Sequence, residues 1–220
     1  MMLQWCRKRR SGFTRTELFV VIGVVGVITL LLAGYLIPAM RKAKGGPGPP
    51  SCINNLKEVD MSFQFWADDH NNKFPMQVST NDGGALEFMS GPNFFMAFSV
   101  MSNELSTTKV LVCPEDKEKT IATNFADFNR NHLSYFVGID ATPALSNAFL
   151  CGDRNLTNGM PLRNGILDAV GNPPPVWTGE MHRFSGNVAF VYGYTWQIGN
   201  LDLRAAIQKA GMATNRLAVP

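Results

Sequence analysis

One uninterrupted apolar segment, LFVVIGVVGVITLLLAGYLI at residues 18–37, constrains this chain more than any other feature. Twenty residues in an α-helix rise about 30 Å, which matches the hydrocarbon thickness of a bilayer. The segment is longer than the apolar part of a secretory signal, and Pro38 and a basic group follow it rather than a small-residue cleavage site. The sequence therefore predicts a single membrane-spanning helix within a continuous helix over residues 13–44.

Positive charge is concentrated before this segment, in Arg7–Arg10. Twenty basic residues less these four leave sixteen against seventeen acidic residues, so residues 13–220 carry a net charge of about −1. The sequence thus gives no sign of a basic nucleic-acid-binding domain, and no nucleic-acid partner is expected. The basic group predicts a cytoplasmic N-terminus, although Arg41, Lys42 and Lys44 beyond the apolar segment reduce the asymmetry.

A Gly/Pro linker, GGPGPP at residues 45–50, separates the predicted long helix from a second one. Ser51 is a candidate N-cap, and apolar residues then recur at spacings of four, three, four and three, which is typical of an amphipathic helix. We predict that this helix ends near Asp69 and packs on a sheet. The residues of the stripe are Cys52, Leu56, Val59, Phe63 and Trp66.

Beyond Pro75, short apolar segments alternate with turn signals such as NDGG and GNPPP. This alternation predicts an α+β domain over residues 51–220 with a mostly antiparallel sheet. Helices are predicted near Asn93–Met101 and at Leu201–Lys209, which Asn200 and Gly211 flank as caps. The predicted strands are Lys109–Cys113, Leu133–Ile139, Asn147–Cys151, Gly186–Tyr192 and Tyr194–Ile198.

Cysteine usage allows at most one internal disulfide after the apolar segment, where Cys52, Cys113 and Cys151 lie. We hypothesise a Cys52–Cys113 pair, because Cys52 opens the predicted buried stripe and Val110–Val112 is the buried strand that we expect beneath it. A Cys113–Cys151 pair and three unpaired thiols are the alternatives. The fourth cysteine, Cys6, belongs to the basic leader.

The histidines and the common enzyme motifs give no sign of catalysis or metal binding. The three histidines, His70, His132 and His182, show no zinc-type spacing. No GxSxG, phosphate loop or CxxC motif occurs, and the polar segment 153–158 fits no calcium-binding loop. Asp68, Asp69 and His70 are explained by a solvated helix end. We therefore expect no enzymatic activity, no cofactor and no metal.

The basic leader ends at Gly12, an aromatic residue (Phe13) and a hydroxyl residue (Thr14) follow, and Glu17 is the fifth residue after the glycine. This arrangement resembles a type IV prepilin signal. Arg15 and Thr16 depart from the commoner apolar pattern. The resemblance implies cleavage between Gly12 and Phe13 and methylation of the new amine at Phe13. The matching residues are Arg7–Arg10, Gly12, Phe13, Thr14 and Glu17.

Two further segments are similar to pseudopilin-like proteins. Residues 52–75 look like the segment that follows the long helix in those proteins. Residues 182–193, HRFSGNVAFVYG, are similar to their H-X9-DG ending, in which His182 and Gly193 match and Tyr192 replaces the aspartate.

The resemblance implies a structural subunit of a type II secretion pseudopilus. The protein would be a single-pass inner-membrane protein with a cytoplasmic N-terminus and a periplasmic C-terminal domain. Its partners would be the prepilin peptidase/methyltransferase, other pseudopilin copies, the inner-membrane secretion platform and the membrane itself. The alternatives are a minor type IV pilus subunit, acting in adhesion or DNA uptake, and an uncleaved, singly anchored envelope binding protein.

Glu17 is the predicted assembly residue. A carboxylate in an apolar helix is expensive, up to ~2.5–3.5 kcal/mol at a bilayer centre, unless it has a partner. Cleavage after Gly12 would create such a partner, the amine of Phe13 in a neighbouring copy. It would also remove the four positive charges of Arg7–Arg10 from the assembling helices.

Overall fold

The computed structural model describes the backbone of residues 15–43 and 51–220, and the side chains of residues 15–29 and 51–220. The chain divides into two units, Met1–Gly48 and Pro49–Pro220. The predicted leader (residues 1–12), the cleavage and methylation residues Gly12 and Phe13, and the predicted linker (residues 45–50) lie outside the described residues.

Helix α1 spans Arg15–Ala43, 29 residues, close to the predicted 13–44. Its described apolar side chains are all well exposed, from 48% for Val21 to 72% for Phe19. They occupy successive positions and therefore lie on every side of the helix rather than on one stripe. The exposed residues are Leu18, Phe19, Val20, Val21, Ile22, Val24, Val25, Val27 and Ile28.

The prediction of a membrane-spanning helix, and with it a single-pass inner-membrane localisation, is wrong. Within residues 15–43 and 51–220, no helix combines the length and the apolarity needed to cross a bilayer. The described side chains at the start of α1 also include the charged Arg15 and Glu17, which reduce the apolarity of this part of the helix.

Helix α2, Cys52–Asp69, begins and ends where the sequence predicted. Ser51 is its N-cap: the residue is extended (φ −88°, ψ 142°), and its side chain accepts a hydrogen bond from the Asn54 amide. This bond satisfies one of the amides that a helix start leaves without a partner. All five residues of the predicted stripe are at most 5% exposed, so the predicted buried face is confirmed.

The predicted antiparallel sheet is also confirmed. Six strands are ordered β4-β8-β1-β2-β6-β7, and β3 and β5 form a separate pair; every pairing is antiparallel. The strands are β1 Tyr135–Gly138, β2 Phe149–Asp153, β3 Leu156–Thr157, β4 Ile166–Asp168, β5 Val176–Trp177, β6 Ser185–Phe190, β7 Thr195–Gly199 and β8 Arg216–Ala218.

The remaining α-helices are α3 (Met96–Ser99), α4 (Ser102–Leu105) and α5 (Asn200–Ala210). The predicted strand Lys109–Cys113 is wrong, because Thr108–Leu111 forms a 3₁₀ turn. The Thr107 side chain accepts from the Lys109 amide and starts this turn. Local hydrogen bonding of this kind competes with a β-ladder.

Both faces of the large sheet are buried. Successive side chains of a strand point to opposite faces, so one strand contributes to two different cores. In β1, Tyr135 and Val137 join the core under α2, whereas Phe136 joins a second core on the opposite face. The second core includes Leu203 of α5 and Trp177 of β5. The sheet is therefore covered by α2 on one side and by α5 with the small β3–β5 pair on the other.

Candidate functional site

Three segments that are distant in sequence meet at the start of α2. Cys52, in the first turn of α2, forms a disulfide with Cys113, and their Cα atoms are 4.7 Å apart. The Sγ atom of Cys113 lies 3.3 Å from Nε2 of His182, in the turn that precedes β6. We call Cys52, Cys113 and His182 the Cys–His cluster. The structure thus joins the two cysteines that the sequence pairs, and Cys151 is free and buried.

The segment that carries Cys113 is held directly against α2. The buried Asn55 side chain donates to the carbonyl of Val112 at 3.0 Å. On the other side, the Ser134 amide donates to the carbonyl of Leu111 at 2.9 Å, which ties the segment to the start of β1. Cys113 is therefore fixed by its backbone neighbours as well as by the disulfide.

The turn that carries His182 has a rare backbone conformation. His182, Arg183 and Phe184 have φ values of 51°, 51° and 64°, so three consecutive residues with side chains lie in the left-handed region. Each costs on the order of 1–2 kcal/mol. Strain of this kind persists only where surrounding contacts impose it, and it is common at functional sites.

One buried side chain contacts both ends of this turn. Asn155 is 1% exposed, and its Nδ2 lies within hydrogen-bond distance of the carbonyl oxygens of Met181 (3.0 Å), Ser185 (3.1 Å) and Thr178 (3.2 Å). These carbonyls lie on both sides of the strained residues. Asn155 therefore clamps the two ends of the turn, and the ring of His182 is held over Cys113.

A buried carboxylate faces the imidazole. Asp153, at the end of β2, is fully buried, and its Oδ2 lies 3.2 Å from Nε2 of His182. The same oxygen accepts from the backbone amide (2.6 Å) and the side-chain amide (2.7 Å) of Asn187. The hydrogen bond to Asp153 raises the pKa of His182 above its ordinary value. The Nε2 proton is therefore donated to Asp153, and the Asn187 side chain, although 3.2 Å from Nε2, donates to the carboxylate instead.

An ion network lies beside the cluster. Arg154 donates to Asp116 at 2.8 and 3.0 Å, to Glu118 at 2.8 Å and to Glu180 at 3.3 Å. Burial alone would raise the pKa of Asp116, but the hydrogen bonds from Arg154 and the Glu118 amide outweigh it, so the pKa is lowered. Arg154 thereby links the loop after Cys113 to the turn before His182.

A cavity of about 250 Å³ opens next to the cluster. It gives solvent and small solutes a route to Cys52 and His182, although the cysteines themselves are buried. Its lining residues are Ser51, Cys52, Ile53, Pro114, Glu115, His182, Asn187 and Gln197.

Among the described residues, the Cys–His cluster is the one set of three His, Cys, Asp or Glu side chains with the spacing of a metal site. One ligand atom from each of the three residues lies within 4.8 Å of the other two. Two sulfurs and an imidazole nitrogen are a donor set that suits zinc. While the disulfide is intact, the two sulfurs are not thiolates, so only the reduced cluster could hold an ion.

Sequence reasoning paired the two cysteines and noted His182 only in the H-X9-DG-like segment; it did not place His182 beside the cysteines, and it gave no role to Asp153 or Asn187. Asp153 lies about thirty residues before His182 and Asn187, and no spacing rule relates these residues to one another or to the cysteines. One signal was available: Asp153 ends the apolar segment FLCGD, and Asn187 lies inside SGNVAF. A polar side chain within an apolar strand is buried and needs a partner.

Comparison with protein-family models, with curated proteins and with solved structures finds no match for this chain.

Proposed function

We propose that this chain is a structural subunit of a type II secretion pseudopilus, cut by a prepilin peptidase and assembled through helix α1. The observation that carries the proposal is the surface of α1, where all the described apolar side chains between Leu18 and Ile28 are about half exposed or more. Covering nine such side chains would contribute on the order of 10 kcal/mol. A surface of this size argues for a partner that covers it.

The occupant that we propose is helix α1 of further copies. Because the apolar residues lie on every side of the helix, a single partner on one face would leave the other faces in water. A helical bundle of several copies covers all of them. This requirement favours a filament over a simple dimer.

Gly23 and Gly26 favour close packing of such helices. A side chain added at either position would meet no atom of this chain within 4 Å. Small residues allow two helix backbones to approach closely, and packing between them then supplies the attraction. A neighbouring α1 could therefore fit against this part of the helix.

Charge would set the register between copies. Glu17 is the acidic residue in the first turn of α1. In the proposed assembly, cleavage after Gly12 provides a positively charged amine at Phe13, and this amine pairs with Glu17 of a neighbouring copy. The released leader takes the basic residues Arg7–Arg10 with it. The same proposal includes the prepilin peptidase/methyltransferase and the secretion platform as partners.

The test is to produce the full chain with and without a prepilin peptidase. We expect the peptidase to yield a mature chain whose N-terminus is methylated Phe13, as read by mass spectrometry, and filaments visible by electron microscopy. Glu17→Gln should be cut normally but should assemble poorly, whereas Glu58→Gln, at an exposed position of α2, should do both normally. Normal filament yield from Glu17→Gln would refute the pairing. An intact leader on a monomeric protein would support the uncleaved binding protein instead.

A further inference from the structure

We infer that the Cys–His cluster is a redox-gated zinc site: after reduction of the disulfide, Cys52, Cys113 and His182 bind one Zn²⁺. The inference is independent of the proposed function. It concerns the second unit, which residues 49–220 form, and does not involve α1.

Reduction converts the disulfide into two thiols that can bind a metal. A dithiol reductant attacks the disulfide, its own two sulfurs become joined, and Cys52 and Cys113 each receive one electron and one proton. Zn²⁺ then displaces the two thiol protons and binds two thiolates, as metal sites with cysteine ligands require. Binding also needs the lone pair of His182 Nε2, so the proton that this atom shares with Asp153 is released.

The distances suit a tetrahedral ion. With Zn–S near 2.3 Å and Zn–N near 2.0–2.1 Å, the edge from sulfur to nitrogen is roughly 3.6 Å. The Cys113 Sγ and His182 Nε2 atoms are already 3.3 Å apart. A shift of a few tenths of an ångström would therefore complete this edge of the coordination sphere.

Reduction of the disulfide also brings the two sulfur atoms to the separation that a zinc site needs. Two sulfurs that are no longer bonded separate to van der Waals contact, about 3.6–3.8 Å, which is close to the sulfur–sulfur edge of a tetrahedral zinc site. Rotation of the Cys52 side chain provides this movement while the Cα atoms keep their 4.7 Å separation. No rearrangement of α2 is needed.

The site is largely formed before the metal arrives. The Asn55 bond to Val112, the Asn155 clamp on the His182 turn and the Arg154 network all hold the three segments without using the disulfide. Asp153 keeps both hydrogen bonds from Asn187 when Nε2 turns to the metal, so the buried carboxylate stays solvated by the protein. Preorganisation of this kind lowers the entropic cost of binding.

The residues around the Cys–His cluster give a metal ion access to the site and favour Zn²⁺ over other ions. The cavity lined by Cys52, His182 and Glu115 admits the ion, and the exposed Glu115 carboxylate favours a cation there. With three protein ligands, the fourth position is left to water or to a further ligand. Thiolate ligands favour Zn²⁺ over Mg²⁺ or Ca²⁺, which prefer oxygen.

The chain offers matched controls. Cys151 is fully buried, and this burial raises the pKa of its thiol well above the ordinary value, so it is a poor competing ligand. His132 lies elsewhere and contacts Thr120 through Nδ1 at 2.8 Å. Neither residue belongs to the proposed site.

The experiment titrates the full chain with Co²⁺, as a visible substitute for zinc, before and after reduction by a phosphine. We expect the reduced protein to bind one Co²⁺ with the thiolate charge-transfer band of a tetrahedral site, and Zn²⁺ to displace it. The oxidised protein should show no band. Cys52→Ser and Cys113→Ser should lose binding, and His182→Asn should weaken it by about tenfold or more. Cys151→Ser and His132→Asn should bind like the wild type.

Several outcomes would overturn the inference. They are a reduced protein that binds no ion, equal binding before and after reduction, and an unchanged Kd in His182→Asn. Circular dichroism monitors folding throughout. A reduced chain that unfolds and does not refold on addition of Zn²⁺ would also overturn it.

Discussion

The buried carboxylate of Asp60 makes a testable contribution to stability. Asp60 lies in helix α2 and is 3% exposed. Its Oδ1 accepts a long hydrogen bond, 3.4 Å, from Nε2 of Gln64. Burial raises the pKa of this carboxyl from 3.8 to about 6, and the bond from Gln64 offsets only part of the effect. At neutral pH the native protein therefore holds an ionised carboxylate that burial has removed from water, which lowers the free energy of unfolding.

The size of this cost follows from the two pKa values. The difference between 3.8 and about 6 corresponds to roughly 3 kcal/mol in the free energy of unfolding. Because the folded pKa is the higher one, the native state holds its proton more tightly than the unfolded chain. Proton binding by Asp60 therefore stabilises the native state. This contribution is fully present below about pH 4 and is lost as the pH rises through about 6.

We therefore expect Asp60→Asn, which cannot ionise, to be more stable than the wild type at neutral pH by up to about 3 kcal/mol, and to approach it near pH 4. Asparagine keeps an oxygen that can accept from Gln64, so the hydrogen bond is preserved. Asp68→Asn, at an exposed position of the same helix, is the matched control and should change stability by less than ~0.5 kcal/mol.

The assay is urea denaturation at several pH values between about 4 and 8, without reductant, so that the disulfide stays intact. The informative quantity is the difference between Asp60→Asn and the wild type at each pH. A difference that does not change with pH, or a variant less stable than the wild type at neutral pH, would show that the carboxylate is well solvated in the native state.

Three further changes are expected to lower the free energy of unfolding, measured by the same urea assay. Gly186→Ala should cost about 1–3 kcal/mol, because the added methyl group would overlap the buried ring of Trp177. Phe63→Ala should cost about 3–5 kcal/mol, because this fully buried side chain would leave a cavity. Arg154→Met should cost on the order of 3 kcal/mol by leaving Asp116 buried without its cation, and a second change, Asp116→Asn, should recover much of the loss.

The glycine and phenylalanine changes each have a neutral counterpart. Gly199→Ala adds a methyl group where no atom lies within 4 Å, and Phe65→Ala removes a ring that is 60% exposed. Both should change stability little. Equal losses for a variant and its counterpart would mean that the contact described does not determine the effect.

Local sequence signals predicted helix α2 well because they agree with one another. The cap at Ser51, the helical spacing from Cys52 to Trp66 and the polar end near Asp69 all specify the same element, and the structure has it at Cys52–Asp69. The segment Lys109–Cys113 had only apolar composition in its favour. Composition does not distinguish a strand from a buried turn, and the Thr107 side chain decided the outcome by capping a 3₁₀ turn.

The Cys–His cluster was predictable only in part, for a physical reason. Cys52 lies on a predicted buried face, so a partner cysteine beneath α2 could be proposed from the pattern. His182 lies 69 residues from Cys113, and its place depends on three left-handed residues and on the clamp from Asn155. Tertiary contacts of this kind leave no periodic signal in the sequence.

The residues of segment 182–193 differ in how far the fold depends on them. His182 and Gly193 lie at opposite ends of β6, and each has a specific structural task. Gly193 has a φ of 85° in the turn between β6 and β7, a conformation that glycine adopts without strain. Tyr192 is 76% exposed, so its side chain is not required for core packing. Tyr192→Asp should therefore leave stability unchanged, whereas Gly193→Val should destabilise the turn by on the order of 1 kcal/mol or more.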